Sequence, residues 1–255
     1  MKAVKIIGIC AGLGLVVAVA GVLFATGYLT FNHPSRSRFP IRGIDVSHHQ
    51  GPIRWDEVRA EGISFAYIKA TEGVDFFDPR FEENWAAASS AAIPSGAYHF
   101  FTFCSPGLQQ AEHFTRTVPN APDSLPPVVD IEFAGNCKNW SSIASIRREL
   151  SVFLAEVETA FERKPILYVT RRGYGRIVAG HFTGYRLWVR SIFGVPSLTA
   201  GDNWILWQFA DKGRLQGISG FVDLNVFRGD REDFDVLRTV PNRSDSEVAP
   251  PADEE

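Results

Sequence analysis

Short apolar runs alternate with amphipathic stretches along most of the chain. Eight runs have the length and the β-branched or aromatic content of buried strands: 41–46, 63–70, 96–103, 127–131, 165–170, 186–189, 204–209 and 222–227. The amphipathic stretches between them predict helices over 54–61, 79–92, 107–117 and 142–163. The later connections are too short for full helices.

Continuous apolar strands followed by helices are typical of a parallel sheet whose two faces are both covered. Eight such strands predict an α/β fold, an irregular (β/α)8-type (TIM-like) barrel. An open, doubly wound sheet is the alternative, and periodicity does not separate the two.

The two ends of the chain differ from this pattern. Residues 6–29 carry no charge and would form a helix roughly 36 Å long. That length favours a transmembrane anchor over 1–31, with a cleaved signal segment as the alternative. A polar tether over 32–40, a barrel domain over 41–240 and a disordered acidic tail over 241–255 complete the predicted organisation.

Composition narrows the choice of function. The chain has 255 residues and a net charge of -3, so it has no basic field to attract nucleic acid. Phosphate-binding glycine loops, nucleophile elbows and metal-ligand spacings are absent from the sequence, so we expect no cofactor and no metal. Cys104 and Cys137 each follow a predicted strand by a few residues, so they form either a disulfide in an oxidising compartment or two free buried thiols.

The strand at 127–131 ends in two acids with the spacing of one strand face. Asp130 and Glu132 lie two residues apart, so their side chains point the same way. Two neighbouring carboxyl groups push each other's pKa values apart, and one of them can then stay protonated as a general acid.

Further polar side chains gather where the other predicted strands end. In a parallel barrel these ends share one rim, which brings together Asp45, Asp130, Glu132 and Asp223. His99 and Gln208 lie at or near strand ends too. Aromatic residues that can stack on sugar rings lie near these polar residues in sequence: Tyr98, Phe100, Tyr168, Trp188 and Trp207. The set indicates a carbohydrate cleft. A Ca²⁺ or Mg²⁺ site is the rival, but no loop of alternating acids supports it.

Several segments together resemble one enzyme family. They are 43–51, 53–55, 65–73, 78–84, 96–101, 130–132, 207–209 and 222–225, which include Gly43-Ile44-Asp45, Asp130-Ile131-Glu132 and Val222-Asp223-Leu224-Asn225. Their order and spacing are similar to those of glycoside hydrolase family 25, the Chalaropsis-type lysozymes. The resemblance covers about residues 41 to 230.

This resemblance implies an N-acetylmuramidase that hydrolyses the β-1,4 bond between N-acetylmuramic acid and N-acetylglucosamine in peptidoglycan. By position Glu132 would be the general acid/base and Asp130 the second catalytic carboxylate. Asp45, Asp223, Tyr98, Tyr168, Trp188 and Gln208 would bind substrate. Members of the family resemble retaining enzymes in which the N-acetyl oxygen of the substrate attacks, although the spacing of the two acids equally allows direct attack.

The sixth strand departs from the family pattern at Arg190 and in lacking the usual aromatic residue near its end. Arg190 stands where the sixth strand usually has a small residue, so it would pair with Asp223 or with a peptide-stem carboxylate, or simply be solvated. The main expectation is a monomeric, membrane-anchored wall-remodelling enzyme with its catalytic domain on the periplasmic side. A non-catalytic peptidoglycan-binding module and a secreted lysin or toxin are the alternatives.

Overall fold

A computed structural model describes residues 2–198 and 203–239, with side chains for 13–198 and 203–238. The predicted acidic tail over 241–255 lies outside these residues. The strands are β1 (Arg42–Val46), β2 (Phe65–Glu72), β3 (Phe76–Phe77), β4 (Ser95–Phe100), β5 (Val128–Ile131), β6 (Ile166–Thr170), β7 (Leu187–Arg190), β8 (Trp204–Gly213) and β9 (Val222–Phe227). The helices are α1 (Lys2–Ala25), α2 (Trp55–Ala60), α3 (Phe81–Ser90), α4 (Gly107–Thr117), α5 (Ile143–Phe161), α6 (Arg171–Gly173) and α7 (Arg231–Thr239).

The sheet closes on itself into a barrel. Strand β1 pairs with β2 on one side and with β9 on the other, and the order β1-β9-β8-β7-β6-β5-β4-β2 completes the circle. The two-residue β3 adds a hairpin to β2 outside this circle. The prediction of an eight-stranded α/β barrel is therefore confirmed, and the open sheet is excluded because β1 has partners on both sides.

The last strand runs opposite to the others, which corrects the expectation of an all-parallel barrel. β9 is antiparallel to both β1 and β8, whereas the remaining barrel pairs are parallel. The physical reason is the connection from β8 to β9, residues 214–221, which is shorter than a parallel crossover needs. The start of β9, rather than its end, therefore lies at the rim with Asp45, and Asp223 is its register partner.

Two apolar layers hold the barrel. One lies between the strands and the surrounding helices, and the other fills the barrel interior around Tyr67, Val128 and Trp188. Helix α5 contributes its apolar face to the outer layer, and its first turn is capped by Ser142, whose hydroxyl accepts from the Ser145 amide at 3.0 Å.

Helix α7 was not predicted, because it is short and strongly polar on one side. Its Phe234 is fully buried against Phe65 and Phe227. These contacts close the end of the barrel at which β2 begins and β9 ends, opposite the rim that carries Asp45.

The N-terminal segment differs from its sequence prediction. Among the described residues, no helix combines the length and the hydropathy that crossing a bilayer requires. The predicted transmembrane anchor over 1–31, and with it the predicted membrane contact, is therefore not supported. After α1, the Asn32 side chain donates to the carbonyl oxygens of Ser191 and Phe209, both at 3.2 Å, so this part of the chain contacts the barrel.

Candidate active site

A cavity of about 400 Å³ opens at the rim where β1, β5 and β6 end and β9 begins. Five carboxyl groups line it, and four of them were predicted: Asp45 on β1, Asp130 on β5, Glu132 directly after β5, and Asp223 on β9. The other predicted substrate-binding residues line the same cavity: Tyr98, Tyr168, Trp188 and Gln208. All eight predicted site residues thus lie around one space.

Asp45 is held by a chain of directed hydrogen bonds. Its Oδ2 accepts from Gln208 Nε2 at 3.0 Å and from Asn225 Nδ2 at 2.7 Å. Gln208 Oε1 in turn accepts from the Tyr168 hydroxyl at 2.9 Å, and Asn225 Oδ1 accepts from Trp188 Nε1 at 2.9 Å. Both side-chain amides therefore have their oxygens engaged by aromatic donors, which fixes their NH₂ groups towards Asp45.

The carboxyl groups retain their protons more strongly than free ones. Burial, together with the neighbouring Glu132 and Asp45 carboxylates, holds the pKa of Asp130 well above its usual range. Burial, and after it the charges of Asp45 and Asp211, does the same to the pKa of Asp223. Burial also raises the pKa values of Asp45 and Glu132, against the lowering effect of Arg190 on both. Raised pKa values favour the protonated form that a general acid needs.

Asp130 also has an unused acceptor. Its Oδ1 is buried and has no hydrogen-bond partner in the described structure. A buried carboxyl oxygen without a partner costs free energy, which a bound ligand with an N–H or O–H group would recover. The cavity therefore has one acceptor ready for a substrate donor.

The loop after Glu132 is fixed from two sides. The Asn136 side chain donates to the carbonyl oxygens of Glu132 at 3.0 Å and Phe101 at 2.8 Å, and accepts from the Phe103 amide at 2.8 Å. Next to it, Cys104 and Cys137 form a disulfide with their Cα atoms 6.2 Å apart. The loops that follow β4 and β5 are thereby joined beside Glu132.

Two cations complete the wall of the cavity. Lys69 forms an ion pair with Glu72 at 2.6 Å, and Arg190 forms one with Asp211 at 2.5 Å. Arg190 thus pairs with Asp211 and not with Asp223, one of the partners that the sequence suggested. The Arg190 charge still acts on Asp223, since it is among the causes that lower the pKa of that group.

Three of the aromatic and histidine assignments need correction. His99 is fully buried away from the cavity, bonded to Thr71 Oγ1 at 2.7 Å and Gln110 Oε1 at 3.1 Å, and burial lowers its pKa to about 3. Trp207 packs in the outer layer and donates to the Ser191 carbonyl. Trp188 lines the cavity but is 1% exposed, so it forms the floor and cannot lie flat on a sugar.

Sequence reasoning did not single out several lining residues, among them His49 and Asp211. Asp211 lies on β8 beyond the apolar run that defined the predicted strand, because β8 extends to Gly213 with shifts in its register to β9. The signal that could have found it is its place two residues after Phe209, at the rim end of the strand.

The described part of the chain contains no group of three or more His, Cys, Asp or Glu side chains arranged to hold a metal ion. Of the four predicted acids, Asp45 accepts from two side-chain amides and is hydrogen-bonded to Asp223, whereas Asp130 keeps a free acceptor. The arrangement is suited to proton transfer and to binding a polyhydroxylated, amide-bearing ligand.

Comparison with known proteins gives one family. The model of "Glycosyl hydrolases family 25" matches residues 44–218. "Lysozyme M1" of Streptomyces globisporus is 37% identical over 202 residues, 74% of this chain and 68% of that protein. The uncharacterised protein YegX of Escherichia coli K12 is 37% identical over 201 residues, 77% of this chain and 72% of that protein.

A solved structure agrees with these matches. The family 25 glycosyl hydrolase from Bacillus anthracis is similar with a TM-score of 0.77 and 38% identity, over 82% of this chain and 97% of that one.

Proposed function

The chain belongs to glycosyl hydrolases family 25 and is a peptidoglycan hydrolase of the lysozyme class, and from this premise we propose that Glu132 is its general acid/base. The observation that carries this assignment is the gathering of Asp45, Asp130, Glu132 and Asp223 in one cavity. Burial raises the pKa of Glu132, which favours the protonated form that an acid catalyst needs. Glu132 would protonate the oxygen of the β-1,4 bond, and this oxygen would then leave the anomeric carbon of N-acetylmuramic acid.

Asp130 serves the reaction best as an orienting group. Burial raises its pKa well above the usual range, which disfavours the anion that direct attack on the sugar needs. Its buried, unpartnered Oδ1 can accept the N–H of the substrate acetamido group. That contact would aim the acetamido oxygen at the anomeric carbon, and hydrolysis would proceed with retention by a substrate-assisted route.

The Asp45 network would then act as a fixed support. Asp45 and Asp223 are hydrogen-bonded to each other, and Gln208 and Asn225 hold Asp45 from behind. Tyr98 and Tyr168 supply the aromatic walls of the cleft.

The substrate places the site of action outside the cytoplasm, where the cell wall lies. The Cys104–Cys137 disulfide supports this, because such bonds persist in oxidising compartments.

The test compares the full-length protein with Glu132→Gln on purified peptidoglycan, and the released fragments are reduced with borohydride and read by mass spectrometry. We expect fragments ending in reduced muramic acid from the unmutated protein, and a loss of about a thousandfold or more in rate for Glu132→Gln. Glu61→Gln, at an exposed position, is the matched control. Near-unmutated activity in Glu132→Gln would contradict the role of this residue, and binding without any fragments would instead indicate a glycan-binding module.

A further inference from the structure

Two arginines and two aromatic rings form a cluster beside the loop that carries Glu132. The Arg172 guanidinium lies 4.4 Å from the centroid of the Phe133 ring, and the Arg176 guanidinium lies 5.6 Å from the same ring. Arg176 also lies 6.0 Å from the Trp140 ring, which itself packs against Phe133 at 6.1 Å. We call these four side chains the arginine–aromatic cluster.

The two cations of the cluster lack a carboxylate partner among the described residues. Within the part of the chain that the structure describes, neither guanidinium lies within salt-bridge distance of a carboxylate. Other arginines do have partners, as in the Arg54–Glu57 and Arg80–Glu83 pairs. Both cluster arginines are exposed, so two neighbouring positive charges face solvent at one place.

The backbone brings this charge close to the end of β5. Gly173 lies so close to the Ile131 carbonyl oxygen that a Cβ would approach it to 2.4 Å, and Thr170 caps the turn by accepting from the Gly173 amide at 3.2 Å. Arg147 donates to the carbonyl oxygens of Arg176 and Ile177 at 2.9 and 3.0 Å. The segment after β6 is therefore anchored against the strand that leads into Glu132.

The cluster adjoins the cleft along the chain. Phe133 follows Glu132 directly, and the next residue, Ala134, lines the cavity. The cavity itself is lined by five acids, and a glycan backbone of hydroxyl and acetamido groups brings no added charge to it. The peptide stems of peptidoglycan do bring charge, because each leaves the lactyl group of a muramic acid and carries free carboxylates.

We propose that the arginine–aromatic cluster binds carboxylates of the peptide stem on a muramic acid seated in the cleft. Planar guanidinium groups suit carboxylates because they donate two parallel N–H groups, and cation–π contacts with Phe133 and Trp140 orient them beforehand. The cluster would make the enzyme prefer peptide-bearing glycan over bare glycan. This inference rests on the proposed function, since it specifies the substrate of the same cleft.

The test uses the full-length protein and the double variant Arg172→Gln/Arg176→Gln. Two substrates are compared: peptidoglycan freed of phosphate-containing polymers, and the same glycan after an amidase has removed the stems. We expect kcat/KM on the stem-bearing substrate to fall about tenfold, mainly through KM, the size expected for two exposed ion pairs. On bare glycan the variant should match the unmutated enzyme.

The control is Arg116→Gln, an exposed arginine on α4 that pairs with Glu112. Added salt should weaken the unmutated enzyme on stem-bearing substrate and leave the double variant nearly unaffected. An equal loss on both substrates, or no loss on the stem-bearing one, would overturn the proposal. A loss that appears only with peptidoglycan still carrying its phosphate polymers would also overturn it, in favour of a phosphate ligand.

Cosedimentation with the same two substrates separates this inference from the proposed function. An unmutated protein that cuts neither substrate would contradict the function. A difference in pelleting between the protein and its double variant, seen only with stem-bearing glycan, would still support the cluster as the stem-binding surface.

Discussion

Arg190 influences proton transfer at the cleft without being an acid or base itself. It is paired with Asp211 at the rim, and its charge lowers the pKa of Glu132, although burial keeps that pKa above the usual value. Replacing Arg190 by a neutral residue removes a lowering influence, so the pKa of Glu132 should rise. A general acid with a higher pKa stays protonated to higher pH.

For Arg190→Gln we therefore expect the alkaline limb of the kcat/KM profile to move to higher pH. The measurement is the rate of peptidoglycan solubilisation across pH. Asp211→Asn is the matched control, because it removes the partner but keeps the arginine charge, so its alkaline limb should not move upwards. An unchanged limb in Arg190→Gln would contradict the electrostatic role.

At neutral pH, Asp130 should lower the free energy of unfolding. Its pKa in the folded protein lies well above the usual range because of burial, then Glu132 and Asp45, so the native state binds this proton more tightly than the unfolded chain does. Stability is then lost as pH rises from the ordinary aspartate value through the raised one.

Asp130→Asn should therefore raise Tm at pH 7, by about 2–4 °C for each kcal/mol relieved, while activity falls. The gain in Tm should vanish near pH 3, where the Asp130 carboxyl of the unmutated protein is largely protonated in the unfolded chain as well as in the folded one. Thermal unfolding at both pH values checks this, with Asp123→Asn at an exposed position as the control. A lower Tm for Asp130→Asn at pH 7 would show that Asp130 is stabilised as an anion.

At the scale of elements, the loops after β4 and β5 act together. The disulfide joins residues separated by 33 positions along the chain. Closing a loop of that length lowers the entropy of the unfolded chain, which stabilises the folded protein by about 3–4 kcal/mol. The same link lies next to Asn136, which bonds the carbonyl of Glu132.

The double variant Cys104→Ser/Cys137→Ser should unfold at lower temperature than the unmutated protein, and its kcat should fall more than its KM rises, because the Glu132 loop loosens. Adding a reductant should lower the Tm of the unmutated protein towards that of the variant and leave the variant unchanged. Equal Tm and kcat values would mean that Asn136 alone fixes the loop.

The strands could be predicted from the sequence, but their orientation in space could not. All eight apolar runs became barrel strands, because runs buried on both faces have a strong composition signal. That same burial removes the alternation that would tell the two faces apart, which is why His99 was expected at the rim although it points to the helices. The direction of β9 depends on the length of one connection, and no hydrophobic pattern records direction.

The two acids of the candidate site could be predicted from the sequence for a related reason. Asp130 and Glu132 sit at a strand end, where an acid interrupts an apolar run and is easily noticed. The Arg190–Asp211 pair depends on two strands meeting in register, with Arg190 opposite Gln208, and on the extension of β8 past Phe209. Such contacts follow from closure of the barrel, so the sequence of either strand alone does not predict them.

At the scale of the whole molecule, closure of the barrel depends on a close approach at Gly43. A Cβ at this position would come within 2.2 Å of the Phe65 ring, and Phe65 is fully buried and packed by Phe234, so it cannot move aside. Strand β1 pairs here with both neighbours that close the circle, since Gly43 lies opposite Phe65 and Asn225.

Gly43→Ala should therefore lower the free energy of unfolding by about 1–3 kcal/mol, the usual cost of overpacking a core. Urea denaturation would measure it. Gly220→Ala, where a Cβ would meet nothing within 4 Å, is the control and should unfold like the unmutated protein. If the two variants proved equally stable, the region around β1 would have to be more adaptable than its packing indicates.

The hydrogen bonds to Asp45 also bear on which carboxyl group, Asp45 or Asp223, carries the proton that the two share. Oδ2 of Asp45 already receives two N–H groups whose orientation is fixed by Tyr168 and Trp188, and the hydrogen bond between the two acids lowers the pKa of Asp45 and raises that of Asp223. We therefore expect their shared proton on Asp223, pointing at Asp45. Neutron diffraction of a deuterated crystal would find the deuterium on Asp223, and a sugar hydroxyl entering the cleft would meet a donor on one side and an acceptor on the other.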